Sequence, residues 1–150
     1  MILHSATKSL SPGLVTGKRS EPAKEVTVAI IDTGVSLGSN PGDRLIGFKD
    51  FVNGRTEAYD DHGQGTHIAG CITCPQGREA QVPQVKLLGA DSPSRVVAGI
   101  EWAITNRENL KLDVISMSPL GPCDGVHDDA IEKAVQRAIE AGLTVIRPER

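Results

Sequence analysis

Val26-Thr27-Val28-Ala29-Ile30-Ile31-Asp32-Thr33-Gly34 is the stretch that decides the fold class of this chain. Six residues rich in β-branched side chains, without apolar/polar alternation, suit a strand buried on both faces of a parallel sheet. A carboxylate placed straight after such a run needs a reason, because Asp is seldom buried without a partner. Asp32 is therefore the first candidate functional residue, and Thr33-Gly34 forms the turn that ends the strand.

Outward from that strand, strand and helix signals alternate. Residues 1–24 hold Ser, Pro, Gly, Lys and Thr with little periodicity and are expected to form a flexible lead-in, with one domain over 25–150. Leu45–Val52 has extended character, and Gln84–Leu88 reads as a short buried strand. Ser92-Pro93 is a cap and first turn, and Val96, Val97, Ile100, Ala103 and Ile104 recur at helical spacing, which predicts a helix over Pro93–Asn106. Asp113–Met117 is the next strand. Asp128-Asp129 opens a helix with an apolar stripe of Ile131, Ala134, Val135, Ala138 and Ile139, and Gly142 is its stop. Leu143–Ile146 starts a last strand that Pro148 interrupts. The alternation predicts βαβ units and an α/β fold, a parallel β-sheet with helices on both faces.

Composition narrows the function classes. The chain has 150 residues, 39% of them hydrophobic but only 3% aromatic, so its core must be assembled from many small aliphatic contacts. A net charge of −3 supplies no basic stripe, which argues against a nucleic-acid partner. Met1–Leu10 carries neither the charge pattern of a signal peptide nor an apolar span, so no membrane association and a cytoplasmic location are expected. Cys71, Cys74 and Cys123 are too few and odd in number for a disulfide framework, in keeping with a reducing compartment.

The second decisive stretch is Asp61-His62-Gly63-Gln64-Gly65-Thr66-His67-Ile68-Ala69-Gly70. Together with the strand ending in Asp32-Thr33-Gly34, it resembles the subtilisin-like serine proteases, the subtilases. The resemblance runs from about Glu25 to Ile146 and is strongest to cytoplasmic bacterial members around Phe48–His67. It implies a subtilisin-like fold and a serine endopeptidase ancestry. In that family the strand-end Asp orients the imidazole of the general base, so the resemblance assigns Asp32 the orienting-acid position. The family motif resembles Asp-x-Asn-Gly-His-Gly-Thr-His-x-Ala-Gly, with the first histidine as base. Gln64 falls on that base, and His62 falls where an asparagine is usual.

Glutamine cannot replace the base, because its amide has no basic lone pair near neutral pH. His67 stands one helical turn further on, at about 5–6 Å between Cβ atoms, too far for a proton transfer that requires about 3 Å; it is expected to be structural. Val96–Ile104 resembles the family helix that precedes the substrate strand. Ser116-Met117-Ser118-Pro119-Leu120-Gly121 resembles the Asn-Met-Ser-Leu-Gly stretch that takes peptide as an added strand. Ser118, Leu120 and Gly121 are accordingly the substrate-contact candidates, although Pro119 lacks the N–H an edge strand offers.

Further departures shape the expectation. The chain is shorter than the family pattern between Cys71 and Leu88 and around Gly89–Arg95. After Leu143–Ile146 the family continues into an Ala-Gly-Asn oxyanion segment and later a Gly-Thr-Ser-Met-Ala segment bearing the nucleophile, whereas here Arg147-Pro148-Glu149-Arg150 follows. The reading is a domain truncated after about half its length and catalytically inactive, with an exposed sheet edge that favours self-association. Two alternatives are a peptide- or protein-binding module, if its groove survives, and an endopeptidase completed by a second chain.

Other motifs have plainer readings. Asp-Thr-Gly also resembles the signature of retroviral-type aspartic proteases, but the stripes Val96–Ile104 and Ile131–Ile139 contradict a mostly-strand protein. Cys71-Ile72-Thr73-Cys74 with His67 could place three metal ligands near one helix. Because the helix is expected to pack in the core, where Cys acts as a small apolar residue, neither a metal nor another cofactor is expected. Asp60-Asp61 and Asp128-Asp129 are explained by helix-start and loop positions.

Overall fold

The computed structural model describes residues 26–36, 38, 44–73, 80–86, 93–118 and 129–147. The predicted lead-in over 1–24 lies outside them. Along the chain run β1 (Val26–Asp32), β2 (Leu45–Asp50), α1 (Gln64–Thr73), β3 (Ala80–Lys86), α2 (Pro93–Leu110), β4 (Val114–Met117), α3 (Asp129–Glu140) and β5 (Thr144–Ile146). The strands form one sheet in the order β2-β3-β1-β4-β5, and every neighbouring pair is parallel. Parallel neighbours require crossover connections, which α1, α2 and α3 supply.

β1 is central, and its period of two divides the core. Ala29 and Ile31 face a cluster with Val96, Ile100 and Ala103 of α2, Ile115 of β4, and Ala134, Val135 and Ala138 of α3. Val28 and Ile30 face the opposite side, against Ala69 of α1, with Phe48, Ile68 and Ile72 packed around them. Helices thus cover both faces of the parallel sheet, as the pattern predicts. Ile30, Ile31, Ile100 and Ile115 are fully buried, each contributing about 1.5–3 kcal/mol through removal of its side chain from water.

Several boundaries differ from the sequence reading, each for a physical reason. β2 stops at Asp50 instead of Val52 because the Asp50 carboxylate accepts the N–H groups of Val52, Asn53 and Arg55 and turns the chain. β3 starts at Ala80, ahead of the predicted Gln84, and carries Pro83 opposite Gly47, where the β2–β3 register shifts. Such an irregularity is where an interior strand tolerates a proline. α2 continues past Asn106 to Leu110 and closes with Lys111 at φ 51°. There the N–H of Leu112 reaches the carbonyl of Arg107 at 2.9 Å, and that of Lys111 reaches Glu108 at 3.3 Å, a Schellman closure without its usual glycine. α3 closes the same way on Gly142, with φ 88°. Ile139 leaves the predicted stripe and is 50% exposed. Ser92, Leu87, Leu88 and Asp128 lie outside the described residues.

Candidate functional site

The site lies beyond the carboxyl ends of β1 and β4, where parallel α/β sheets place their ligands and catalytic groups. Asp32 is the last residue of β1 and fully buried. It shares the parity of Val28 and Ile30, so its side chain leaves the strand on the α1 side. Its Oδ1 accepts the N–H of Thr33 at 2.6 Å, and its Oδ2 accepts the hydroxyl of Ser118, which follows β4. The backbone N–H of Ser118 also donates to the carbonyl of Ile31 at 3.3 Å. One sequence-derived candidate, Ser118, is therefore placed directly on another, Asp32. Leu120 and Gly121 lie outside the described residues.

Gln64 is the first residue of α1 and half-buried. Among the described residues its amide makes no hydrogen bond to Asp32, whose partners are Thr33 and Ser118. The next residue explains how closely α1 approaches β1. A Cβ at Gly65 would overlap the Gly34 carbonyl oxygen and come within 3.2 Å of the Asp32 Cβ. Only glycine fits there, and its bare backbone lets its N–H donate to Thr33 Oγ1 at 2.9 Å.

Asp60 ties these parts together. Its Oδ1 accepts the Thr33 hydroxyl at 2.9 Å and the N–H groups of His62 and Gly63 at 3.0 and 2.8 Å. Its Oδ2 accepts the N–H and hydroxyl of Thr66 at 2.9 and 2.6 Å. The Thr66 hydroxyl in turn accepts the N–H of Ser36 at 3.0 Å. The first turn of α1 is thereby capped and locked to the turn that follows β1, with a carboxylate at the positive end of the helix. Burial works against the charged form of Asp60, yet the Thr66 hydroxyl and the backbone N–H groups of Gly63, Thr66 and His62 hold its carboxyl well below the usual carboxylate range. The helix-start reading of Asp60 is what the geometry displays, but its link to Thr33 across the fold carries no sequence signal.

A second carboxylate organises the approach to this turn. Asp50 is buried, and besides its backbone partners its Oδ2 accepts the Tyr59 hydroxyl at 2.8 Å. Against the opposing effect of burial, the N–H groups of Asn53 and Val52, then Tyr59 and Arg55, lower its carboxyl below the ordinary value. Arg55 lies 4.6 Å from the centroid of the Tyr59 ring, within cation–π range. The carbonyl of Tyr59 accepts the N–H of Val35 at 3.2 Å, so this loop is joined to the residues following Asp32.

The remaining candidates stand apart from Asp32. His62 is exposed and contributes its backbone N–H to Asp60. His67 is exposed too, on the outer side of α1. Cys71 is exposed instead of packed in the core, correcting that expectation, because the buried line of α1 runs through Gly65, Ala69 and Thr73. Among the described residues no three His, Cys, Asp or Glu side chains gather around a common point, and no helix is long and apolar enough to cross a membrane. Cys74 and Cys123 lie outside the described residues.

No family model matches the chain, but individual proteins do. It is 34% identical to the serine protease AprX of Bacillus subtilis (strain 168), over 96% of this chain and 37% of the relative. It is 35% identical to subtilisin DY of Bacillus licheniformis, over 81% of this chain and 45% of the relative. The major intracellular serine protease of Bacillus subtilis (strain 168) is 33% identical, over 82% and 42% respectively. The chain thus spans less than half the length of these curated relatives. Among solved structures, the prenylagaramide maturation protease PagA superposes with a TM-score of 0.57 at 21% identity, covering 86% of this chain and 46% of that one. MycP1 without its N-terminal propeptide gives 0.51 at 22% identity, covering 81% and 42%. At that identity the two structures bear on the fold alone.

Proposed function

The chain belongs to the subtilisin-like serine protease family, and from that premise we propose that it is a serine-endopeptidase-type domain portion with no peptidase activity of its own. The observation that supports this reading is Gln64 at the first turn of α1, next to Gly65, whose backbone packs against the buried Asp32; the family resemblance puts the general base at position 64 and the orienting acid at position 32. An imidazole in that place accepts the proton of the nucleophile and is steadied by the carboxylate. A carboxamide can accept a hydrogen bond from a hydroxyl but cannot take its proton at neutral pH. In subtilisin, the reference case for this loss, removing the base lowers turnover by about 10⁶, or about 8 kcal/mol of transition-state stabilisation.

Asp32 supports the same reading from its side. Among the described residues its hydrogen-bond partners are Thr33 and Ser118, so the carboxylate serves as an acceptor within the frame. Ser118 remains a candidate for substrate contact only through its backbone carbonyl, since its hydroxyl is turned to Asp32 and its N–H to the Ile31 carbonyl.

The test is a peptidase assay on the purified chain with fluorogenic peptides and an unfolded protein substrate, together with labelling by a serine-directed fluorophosphonate. No turnover and no labelling are expected. Hydrolysis that co-purifies with the chain and disappears in a folded Asp32→Asn variant would overturn the proposal.

A further inference from the structure

His67 and Cys71 lie one turn apart on the exposed face of α1, with Cys71 Sγ 3.7 Å from His67 Nε2. We propose that this pair is a two-point chelating site for a thiophilic or borderline d¹⁰ cation, Zn²⁺ or Cd²⁺. The argument rests on geometry. Tetrahedral zinc, with Zn–S of about 2.3 Å and Zn–N of about 2.0–2.1 Å, holds its sulfur and nitrogen ligands about 3.5 Å apart. The pair already stands near that bite distance, so the spacing that α1 gives the two side chains suits a shared cation.

Chemistry and position agree with it. Neutral imidazole and thiolate are the side chains this class of cation prefers. Residues i and i+4 share one helix face, and the helix backbone fixes their spacing. Among the described residues neither side chain has another polar partner to displace. Both are exposed, so the cation keeps its remaining positions for water or a group from another molecule. On binding, the Cys71 thiol gives up its proton to solvent and the Nε2 lone pair of His67 completes the clamp, with no change in oxidation state. The closure bridges one turn of the helix that carries Gln64 and Gly65, so bound metal stabilises α1 to the extent that it binds the folded pair more tightly than the unfolded chain.

The test uses the full chain carrying Cys74→Ser and Cys123→Ser, so that Cys71 is the sole thiol. Cd²⁺ is titrated while sulfur-to-cadmium charge-transfer absorbance is followed, and Zn²⁺ is then used as competitor. Saturable binding of one ion per chain is expected, abolished by Cys71→Ser and weakened on the order of tenfold or more by His67→Gln, at least the effect that loss of a ligand's supporting partner has. Both variants alter exposed side chains and should retain the parent's circular dichroism. Binding unchanged by His67→Gln would mean that a thiol alone takes the metal, and would overturn the proposal. So would uptake that fails to saturate. In the chain with its native cysteines, loss of binding with Cys74→Ser but not with His67→Gln would assign the metal to the cysteines instead, and would overturn the proposal as well.

Discussion

Replacing Gly65 with alanine tests whether the approach of α1 to β1 is set by the absence of a side chain. On helix propensity alone Gly65→Ala should stabilise α1 by about 0.8–1 kcal/mol. The structure reverses the sign. The new methyl would overlap the Gly34 carbonyl oxygen, stand 3.0 Å from the Gly34 nitrogen and lie 3.2 Å from the Asp32 Cβ. The first two neighbours are backbone at the end of the central strand, so no flexible side chain can give way and α1 must move. Overpacking of this kind costs about 1–3 kcal/mol. Moving α1 also breaks the 2.9 Å bond from Gly65 N–H to Thr33 Oγ1, a loss of about 0.5–1.5 kcal/mol. Set against the propensity gain, the net is a destabilisation of about 0.5–4 kcal/mol, to be compared with the roughly 5–15 kcal/mol that holds a domain folded. Urea unfolding followed by circular dichroism measures it as a lower midpoint at unchanged slope. Gly38→Ala is the control, since a Cβ there meets nothing within 4 Å, and it should stay within about 0.5 kcal/mol of the parent. A Gly65→Ala protein as stable as the parent, or more so, would refute the close-approach argument.

Asp60 gives a pH dependence with a definite sign. Its folded carboxyl is held below the ordinary 3.8, so its contribution is complete above that value and is lost as pH falls below it toward the depressed folded value. Urea midpoints measured at descending pH should fall more steeply in the parent than in Asp60→Asn, and parallel curves would refute the capping role. Ser118→Ala removes one of the two donors on the buried Asp32 carboxylate and should cost about 1–3 kcal/mol in the same unfolding assay; a change below about 0.5 kcal/mol would show that solvent replaces the hydroxyl. At the sheet edge, β5 is paired with β4 alone among the described residues, and its Ile146 is 56% exposed. Sedimentation velocity should reveal concentration-dependent association that Ile146→Lys suppresses, whereas a monomer at every concentration would exclude this edge as a contact.

The parts of the fold legible in the sequence are those where one local signal acts without competition. β1 is read correctly because a β-branched run followed by Asp-Thr-Gly has no helical alternative. The end of α3 is read correctly because Gly142 adopts the positive φ that glycine favours. The end of α2 is missed because Lys111 takes the same conformation without announcing it. Pro83 hides the start of β3, as a proline ordinarily argues against an interior strand, and only the register shift beside Gly47 accommodates it. Cys71 is misplaced because the period of α1 is set by Gly65, Ala69 and Thr73, small residues that leave little hydrophobic pattern to read. At the site, Asp32 stands out as a charge after a buried strand. The hydroxyl that meets it is 86 positions away in the sequence, and the Thr33–Asp60 link spans 27. Neither distance leaves a trace in composition or periodicity.

The arrangement around Asp32 also separates the frame from the chemistry. α1 is fixed by the fit of Gly65 against Gly34, by the Gly65–Thr33 bond and by the Asp60 carboxylate bridging Thr33 to Thr66. None of these contacts involves the side chain at position 64. A carboxamide can therefore stand at position 64 without loosening the helix that carries it. Asp32 differs in kind. It accepts Thr33 N–H and the Ser118 hydroxyl, and removing an acceptor from a buried site leaves donors unsatisfied at a cost of about 1–3 kcal/mol. Its place in the frame is sufficient to hold it there without any catalytic demand, so the presence of Asp32 is a statement about folding and carries no evidence of turnover.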